Sequence, residues 1–295
     1  TLCPDDGNPC TDGVCRGAKG CEQQANAASC DDGDACTTVD RCAAGACVGG
    51  RADASMRVLF LGNSYTSAND LPSLLTALAK SLGQTIETGA HIPGGYTLGA
   101  PPNQHATDAT SLAKIAEGAW DVVVLQEQSQ IPTIGAYKVS FMLPGAKQLD
   151  QAIKKANTCT RTMLYLTWGR KNGGKQCAGS TCSPDFADFE AMQSALEKAY
   201  REVAKAIGAG VAPAGEAWKL SRQDKPALEL FSGDGSHPSM RGSYLAACVF
   251  YAALTGKSPI GASYTADLPL AEAAFFQQVA AQVVLPSLAY WYLEP

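Results

Sequence analysis

Residues 56–66 have the sequence MRVLFLGNSYT, and this segment decides the fold of the chain. Its apolar run is short and rich in β-branched and aromatic side chains, which is typical of a strand buried on both faces of a sheet. The run stops at Gly62, and residues 70–82 after it have the periodicity of a helix. Because open α/β sheets place their chemistry at the carboxyl ends of strands, we interpret Ser64 as a nucleophile.

Strands and helices alternate along the rest of this region. The patterns predict further strands at residues 84–91, 121–125, 161–167 and 210–217, and helices at 108–118, 143–156, 184–207, 240–255 and from 271 onward, with a kink at Pro286. Such alternation within one unit predicts an α/β fold with a parallel sheet covered by helices on both faces.

Composition and charge exclude several classes of function. The chain has 295 residues and a hydrophobic fraction of 46%, enough for one large α/β domain with a small appendage. Residues 1–50 hold eight acidic and three basic residues, whereas the remainder holds 20 of each sign. The charges leave no basic face for binding nucleic acid. The sequence also contains no uninterrupted run of about 18 apolar residues, the length that a membrane-spanning helix needs.

Eight of the twelve cysteines lie in residues 1–50, a density typical of small secreted modules. The segment DDGNPCT at residues 5–11 returns as DDGDACT at residues 31–37, and each copy carries four cysteines, so we expect each copy to close two disulfides of its own. The missing Cys-x-x-Cys pattern favours disulfides over a zinc site. We therefore predict a disulfide-rich module at residues 1–50, a linker at 51–55 and the main domain at 56–295, in a secreted, extracellular or periplasmic protein.

The repeated segments resemble short Cys-rich repeats that occur in tandem on secreted proteins of myxobacteria and their relatives. This resemblance implies an extracellular spacer or adhesion module with a cell-surface or matrix partner. Asp31, Asp32 and Asp34 are weak candidates for calcium ligands, because crowded carboxylates supply hard oxygen atoms. Turns rich in Asp and Gly are also common simply as turns, and both interpretations stay open.

A second informative segment, SGDGSHP, occupies residues 232–238. Asp234 can reach the imidazole Nδ1 of His237 three residues later, which leaves Nε2 to take a proton from a hydroxyl group. A serine after the first strand and Asp-x-x-His after the last strand resemble the SGNH hydrolases, the superfamily of the GDSL esterases and lipases. The resemblance covers residues 56 to about 256. It implies a flavodoxin-like three-layer α/β/α sandwich with a five-stranded parallel sheet, and hydrolysis through an acyl-enzyme without a cofactor.

The superfamily's other sequence blocks imply an oxyanion hole. The first block has Asn63 where the superfamily usually has Asp. The second block supplies a glycine N–H, and Gly95 is the matching position, beside the N–H of Ser64 itself. The third block is QEQS at residues 126–129, which puts Gln128 in the place of the superfamily's asparagine and leaves Gln126 as the alternative donor.

Two residues near the predicted site are candidates for binding substrate, Asn63 and Trp168. The Trp168 indole, at the end of a strand, either stacks on a sugar ring or packs in the core. His91 and His105 have no acidic neighbour at a useful spacing, and we expect them to be surface or packing residues. Cys177 and Cys182 are expected to bridge each other, while Cys159 and Cys248 either pair or stay free.

The sequence thus predicts a secreted serine esterase acting on a small-molecule or polysaccharide ester, most specifically an O-acyl (acetyl) esterase on carbohydrate. One alternative is a lipase or thioesterase acting on acyl chains. The other is a catalytically inactive protein that binds a surface or a carbohydrate.

Overall fold

The computed structural model describes residues 3–37, 39–50 and 55–293. The chain divides into two compact units, Thr1–Ala54 and Ser55–Pro295. The predicted linker, residues 51–55, lies outside the described residues except for its last position.

The first unit consists of two antiparallel hairpins. Its strands are β1 (Thr11–Cys15), β2 (Cys21–Ala25), β3 (Arg41–Ala43) and β4 (Ala46–Val48), paired as β1 with β2 and β3 with β4. The prediction that each repeat closes its own disulfides is wrong, because Cys10 of the first copy is bonded to Cys42 of the second. These are the two buried cysteines of the unit, so the bridge that joins the copies also supplies their small shared core.

The predicted calcium ligands instead cap their own turns. The Oδ1 atoms of Asp31, Asp32 and Asp34 accept hydrogen bonds of 2.8–2.9 Å from backbone N–H groups two residues further along the chain. Asp31 and Asp32 share a cluster of carboxylate oxygens with Asp40, within 4.8 Å of one another, but Asp34 does not belong to that cluster. Calcium binding by Asp31, Asp32 and Asp34 stays a prediction.

The second unit is built on a five-stranded parallel sheet. Its strands are β5 (Ser55–Leu61), β6 (Thr85–His91), β7 (Val122–Leu125), β8 (Arg161–Tyr165) and β11 (Gly210–Ala212), in the order β11-β8-β7-β5-β6. All four residues of β7 and the last four of β5 are buried, as expected for strands covered on both faces. Strands β9 (Gly174–Ala178) and β10 (Thr181–Phe186) form a separate hairpin, across which Cys177 and Cys182 are bonded as predicted.

Helices flank this sheet in two groups. The helices are α1 (Ser64–Ser67), α2 (Leu71–Ser81), α3 (Ala109–Ala116), α4 (Gly135–Tyr137), α5 (Leu143–Ala156), α6 (Phe189–Ile207), α7 (Ala214–Asp224), α8 (Met240–Thr255) and α9 (Leu270–Val284). Helix α8 packs against α2 and α9, and α5 packs against α3 and α6. The predicted α/β fold, a five-stranded parallel sheet flanked by helices, is confirmed. Within the described ranges, no helix combines the length and the apolar character needed to cross a membrane.

Three predicted elements differ from the observed ones. The strand predicted at 210–217 ends at Ala212, because Pro213 cannot donate to a sheet and α7 begins directly after it. The helix predicted from residue 184 begins only at Phe189, since Asp188 caps it and the preceding residues belong to β10. The last helix ends at Val284, and Pro286 lies in the 3-10 turn that follows. Cys248 is a buried free thiol within α8, so it does not pair with Cys159.

Candidate active site

Ser64 is the first residue of helix α1, three residues after Leu61, where strand β5 ends. Asn63 caps the helix, with its side chain accepting a hydrogen bond from the N–H of Tyr65. The turn needs a glycine at position 62, because a Cβ atom there would lie 2.7 Å from both Gln126 Oε1 and Thr66 Oγ1. Position 62 thus has no room for a side chain, and the turn presents Ser64 at the carboxyl ends of the strands.

Three predicted residues come together at this edge. His237 Nε2 lies 2.8 Å from Ser64 Oγ, and His237 Nδ1 lies 2.5 Å from Asp234 Oδ2. The second oxygen of Asp234, Oδ1, accepts hydrogen bonds of 2.9 Å from the N–H groups of Ser236 and His237 and from the Ser232 hydroxyl. The hydroxyl, imidazole and carboxylate therefore form a continuous chain in the order that nucleophilic catalysis requires.

The hydrogen bonds to Asp234 also fix its charge. Desolvation alone would raise the pKa of this carboxyl, but hydrogen bonds from the His237 side chain and from the turn outweigh it and hold the pKa well below its usual range. The side chains of His237 and Asp234 are 40% and 49% exposed, so the site is open to solvent. A carboxylate that stays ionised can orient the imidazole and stabilise its protonated form.

The predicted role of Asn63 in binding substrate is wrong, because its residue is only 2% exposed. Its Oδ1 accepts from Gln126 Nε2 as well as from the N–H of Tyr65, and its Nδ2 donates to the carbonyl oxygen of Tyr96 at 2.8 Å. Both polar atoms of the Asn63 side chain are thus hydrogen-bonded within the protein. Asn63 connects the helix that carries Ser64 with the loop that contains Gly95.

The side-chain amide of Gln126 is likewise fully hydrogen-bonded within the protein. Its Nε2 donates to Asn63 Oδ1 and to the carbonyl oxygen of Glu127, and its Oε1 accepts from the N–H of Asn63 and from the Thr66 hydroxyl. At 1% exposure it has no free donor for a substrate. Gln128 is partly exposed, and its side-chain amide makes no hydrogen bond within the described part of the chain, which leaves it as the candidate donor.

Two backbone N–H groups near the serine are without partners among the described residues. The N–H of Ser64 begins a helix and so has no acceptor in the preceding turn. The N–H of Gly95 lies in an exposed loop, with φ at +75°, a conformation that other residues rarely adopt. Unpaired N–H groups at a loop and a helix start are the kind of donors that stabilise an oxyanion.

Sequence reasoning missed Glu127, a fully buried carboxyl group. Its Oε1 accepts hydrogen bonds from the N–H of Leu98 at 3.1 Å and of Gln128 at 2.7 Å, whereas its Oε2 has no partner among the described residues. Burial raises the pKa of Glu127 to about 8, so the group is protonated at neutral pH. Glu127 thus joins the loop after Gly95 to Gln128. The signal in the sequence was an acidic residue shortly after the apolar strand at 121–125, within the segment QEQS.

Comparison with solved structures shows the family of the chain. No protein-family profile and no curated protein sequence matches the chain. Among solved structures, a proposed SGNH hydrolase from Slackia heliotrinireducens is 30% identical, over 66% of this chain and 97% of that chain, with a TM-score of 0.52. The chain belongs to the SGNH hydrolase superfamily. A DUF4886 family protein from Bacteroides uniformis has the same fold, with 19% identity, a TM-score of 0.64 and coverage of 80% of this chain and 95% of that chain.

Of the two interpretations of Trp168, stacking on a sugar ring is wrong, and the indole packs in the core of this SGNH hydrolase. It is fully buried, between the parallel rings of Tyr65 at 5.1 Å and Trp218 at 3.7 Å. Its Nε1 donates to the carbonyl oxygen of Ser236, and the Tyr65 ring meets the His237 ring edge-on at 5.2 Å. The indole therefore holds the turn that carries the histidine.

The other two histidines do not belong to the Ser64–His237–Asp234 chain, and His91 has an acidic neighbour, contrary to prediction. His91 Nε2 lies 3.1 Å from Asp108 Oδ1. His105 is fully buried, with Nδ1 2.8 Å from Ser111 Oγ and Nε2 2.8 Å from the carbonyl oxygen of Gly62. Burial lowers the pKa of His105 to about 4, so it is a neutral packing residue behind the serine turn.

Proposed function

We propose that this protein is a serine esterase whose nucleophile is Ser64. The observation that carries the proposal is the 2.8 Å contact between Ser64 Oγ and His237 Nε2, continued by the 2.5 Å contact between His237 Nδ1 and Asp234. Membership of a hydrolase superfamily supports the same reaction class.

In the proposed reaction, His237 Nε2 takes the proton of the Ser64 hydroxyl as Oγ attacks the ester carbonyl. The tetrahedral oxyanion is stabilised by the N–H groups of Ser64 and Gly95 and by the Gln128 amide. His237 then protonates the alcohol oxygen as the ester bond breaks, which leaves an acyl group on Ser64. A water molecule, deprotonated by His237, attacks this acyl-enzyme and releases the acid.

For the substrate we propose an O-acyl ester, in particular an acetyl ester, on carbohydrate. Trp168 no longer supports this choice, because it is buried. The support is the open position of His237 and Asp234, together with the polar side chain of Arg170, which contacts Tyr65 next to Ser64 and is hydrogen-bonded to Gln130 and Gln176. Lipases and thioesterases need an apolar surface for the acyl chain, and none of the large exposed apolar side chains of the described residues belongs to residues 62–66 or 232–238.

The disulfides support a location outside the reducing cytosol, secreted, extracellular or periplasmic. The first unit, with its bridged repeats, fits a spacer or an adhesion module for a cell-surface or matrix partner.

A serine-directed fluorophosphonate probe tests the proposal. We expect one adduct, mapped by mass spectrometry to Ser64, and hydrolysis of 4-nitrophenyl acetate that falls about 10⁴-fold or more in Ser64→Ala. Ser67→Ala is a matched control, because Ser67 is exposed on the same short helix. A folded protein with neither an adduct nor turnover would favour the inactive, surface-binding alternative. Parallel assays on acetylated xylose oligomers and on 4-nitrophenyl octanoate separate a carbohydrate esterase from a lipase or thioesterase.

A further inference from the structure

Arg170 carries a positive charge that no carboxylate in the described ranges neutralises by an ion pair. Its Nη1 donates to the Tyr65 hydroxyl, its Nε lies 3.3 Å from Gln176 Oε1, and its Nη2 lies 3.5 Å from Gln130 Oε1. All three acceptors are neutral groups. The side chain is partly buried, so water compensates for only part of its charge.

Two other positively charged side chains of the same unit are paired with carboxylates, unlike Arg170. Lys171, the next residue, pairs with Glu229, and Arg241 is paired through two nitrogens with Glu272. A guanidinium group has five N–H donors in a planar fork, and Arg170 uses three of them. One N–H on each terminal nitrogen is therefore left for a further acceptor.

This fork lies beside the proposed nucleophile. Arg170 Cζ is 5.8 Å from the centre of the Tyr65 ring, and Tyr65 directly follows Ser64. The Tyr65 hydroxyl is also 2.5 Å from Ser236 Oγ, and its ring contacts the His237 ring edge-on. The charge is thus separated from the reacting groups by a single aromatic side chain.

We propose that Arg170 binds a carboxylate group of the substrate, so that the protein prefers esters carrying a negative charge close to the ester bond. This inference rests on the proposed esterase function and narrows its substrate class. Arginine binds carboxylates through two parallel N–H···O bonds, and the hydrogen bonds to Gln130, Gln176 and Tyr65 fix the plane of the fork. The carboxylate belongs either to the alcohol, as in an O-acetylated uronic acid, or to the acyl group, as in the half-ester of a dicarboxylic acid.

Two matched pairs of substrates test the proposal and distinguish these sources. The first compares an acetylated methyl glucuronide with the corresponding acetylated methyl glucoside. The second compares 4-nitrophenyl hemisuccinate with 4-nitrophenyl pentanoate. For each pair, the measured quantity is the ratio of kcat/KM for the anionic ester to that for the neutral ester. The pair with a ratio above one identifies where the carboxylate lies.

We expect Arg170→Gln to lower that ratio about 10–100-fold, the range for a hydrogen bond to a charged group. Arg170→Lys should retain part of the preference, because it keeps the charge without the planar fork. Lys175→Gln is the matched control, since it removes an exposed positive charge from the adjacent hairpin and should leave the ratio unchanged. Equal losses on both esters in Arg170→Gln, or no preference in the unmodified protein, would overturn the proposal.

Binding to Ser64→Ala, measured by calorimetry, keeps this proposal distinct from the esterase proposal. The uronide should bind more tightly than the glucoside by about tenfold or more, and Arg170→Gln in the Ser64→Ala background should abolish the difference. If the unmodified protein hydrolyses no ester but this difference in binding persists, the esterase proposal fails and the carboxylate site stands. Equal binding of the two sugars, together with no preference for hemisuccinate, contradicts the carboxylate site.

Discussion

The Gln126 side chain makes two hydrogen bonds to Asn63 at the serine turn, one to its side chain and one to its backbone. Gln126 Nε2 donates to Asn63 Oδ1 at 2.9 Å, and the backbone N–H of Asn63 donates to Gln126 Oε1 at 2.8 Å. Because Asn63 follows strand β5 and Gln126 follows the neighbouring strand β7, this pair connects the ends of two adjacent strands. The position of Ser64 thus depends on a glutamine 63 residues away from its cap.

The first prediction concerns the different roles of Gln126, which supports the fold, and Gln128, the candidate oxyanion donor. Gln128→Ala removes a candidate oxyanion donor at a partly exposed position, so kcat should fall about 10²–10³-fold while the free energy of unfolding changes little. Gln126→Ala leaves the buried N–H of Asn63 and the Thr66 hydroxyl without an acceptor, which should cost about 1–3 kcal/mol of stability for each. Urea denaturation and kcat measurements on both variants check this, and a loss of kcat confined to Gln126→Ala would reverse the assignment.

The second prediction concerns the anchor of the oxyanion loop. Asn63→Ala removes the helix cap, which should cost about 1–2 kcal/mol of unfolding free energy, and also the hydrogen bond to the Tyr96 carbonyl oxygen. Asn63→Asp, the superfamily's usual residue, keeps the cap but not the donor to Tyr96. We expect it to recover stability only in part and to keep kcat below that of the unmodified protein. Asn103→Ala, at an exposed position, is the control.

Local signals predicted the elements, whereas distant partners decided the roles of individual side chains. The helices at 143–156 and 240–255 were predicted to the residue, because their periodicity and ends are written locally. Trp168 and Asn63 were candidates for binding substrate, since both follow the end of a strand. In the structure both are buried, because Trp168 stacks on Trp218 and Asn63 is hydrogen-bonded to Gln126. A sequence pattern contains no information about such a partner on another element.

The contact of Arg170 and the pairing of Cys10 could not be predicted for the same reason, because each partner is distant in the sequence. The Arg170 contact with Tyr65 spans 105 residues of sequence, so no local pattern indicates it. The bridge between Cys10 and Cys42 spans 32 residues and joins two copies that each contain an even number of cysteines. Even counts within a repeat suggest internal pairing, but the pairing that forms is set by which thiols the fold buries together.

The third prediction follows from the hydrogen bonds to Asp234. Because the folded protein holds the pKa of this carboxyl below its ordinary value of 3.8, the stabilisation it supplies is fully present above that pH and is lost as the pH falls through the folded pKa. The difference in unfolding free energy between the unmodified protein and Asp234→Asn should therefore shrink as the pH falls from about 4 toward the folded pKa. Asp185→Asn, at an exposed position, is the comparison variant. A difference that grows as the pH falls contradicts the assigned hydrogen bonds.

The fourth prediction concerns the buried Glu127. Its pKa is raised from 4.5 to about 8, so between these values the folded protein holds a proton that the unfolded chain has released. Stability should therefore fall as the pH rises through this window, by at most about 1.4 kcal/mol per pH unit, and level off above it. Glu127→Gln keeps an oxygen for the N–H groups of Leu98 and Gln128 and does not ionise, so it should lack this decline.

The same variant reports on the oxyanion hole. Since both hydrogen bonds that Glu127 accepts lead to candidate oxyanion elements, Glu127→Gln should retain kcat at pH 7, whereas Glu127→Ala should lower kcat more than it raises KM. Above pH 8, activity of the unmodified protein should decline relative to that of Glu127→Gln, because the ionised carboxylate is not stable in its buried site. Parallel pH profiles of stability and of kcat/KM for the two proteins would refute the protonated carboxyl as the group that positions Gln128.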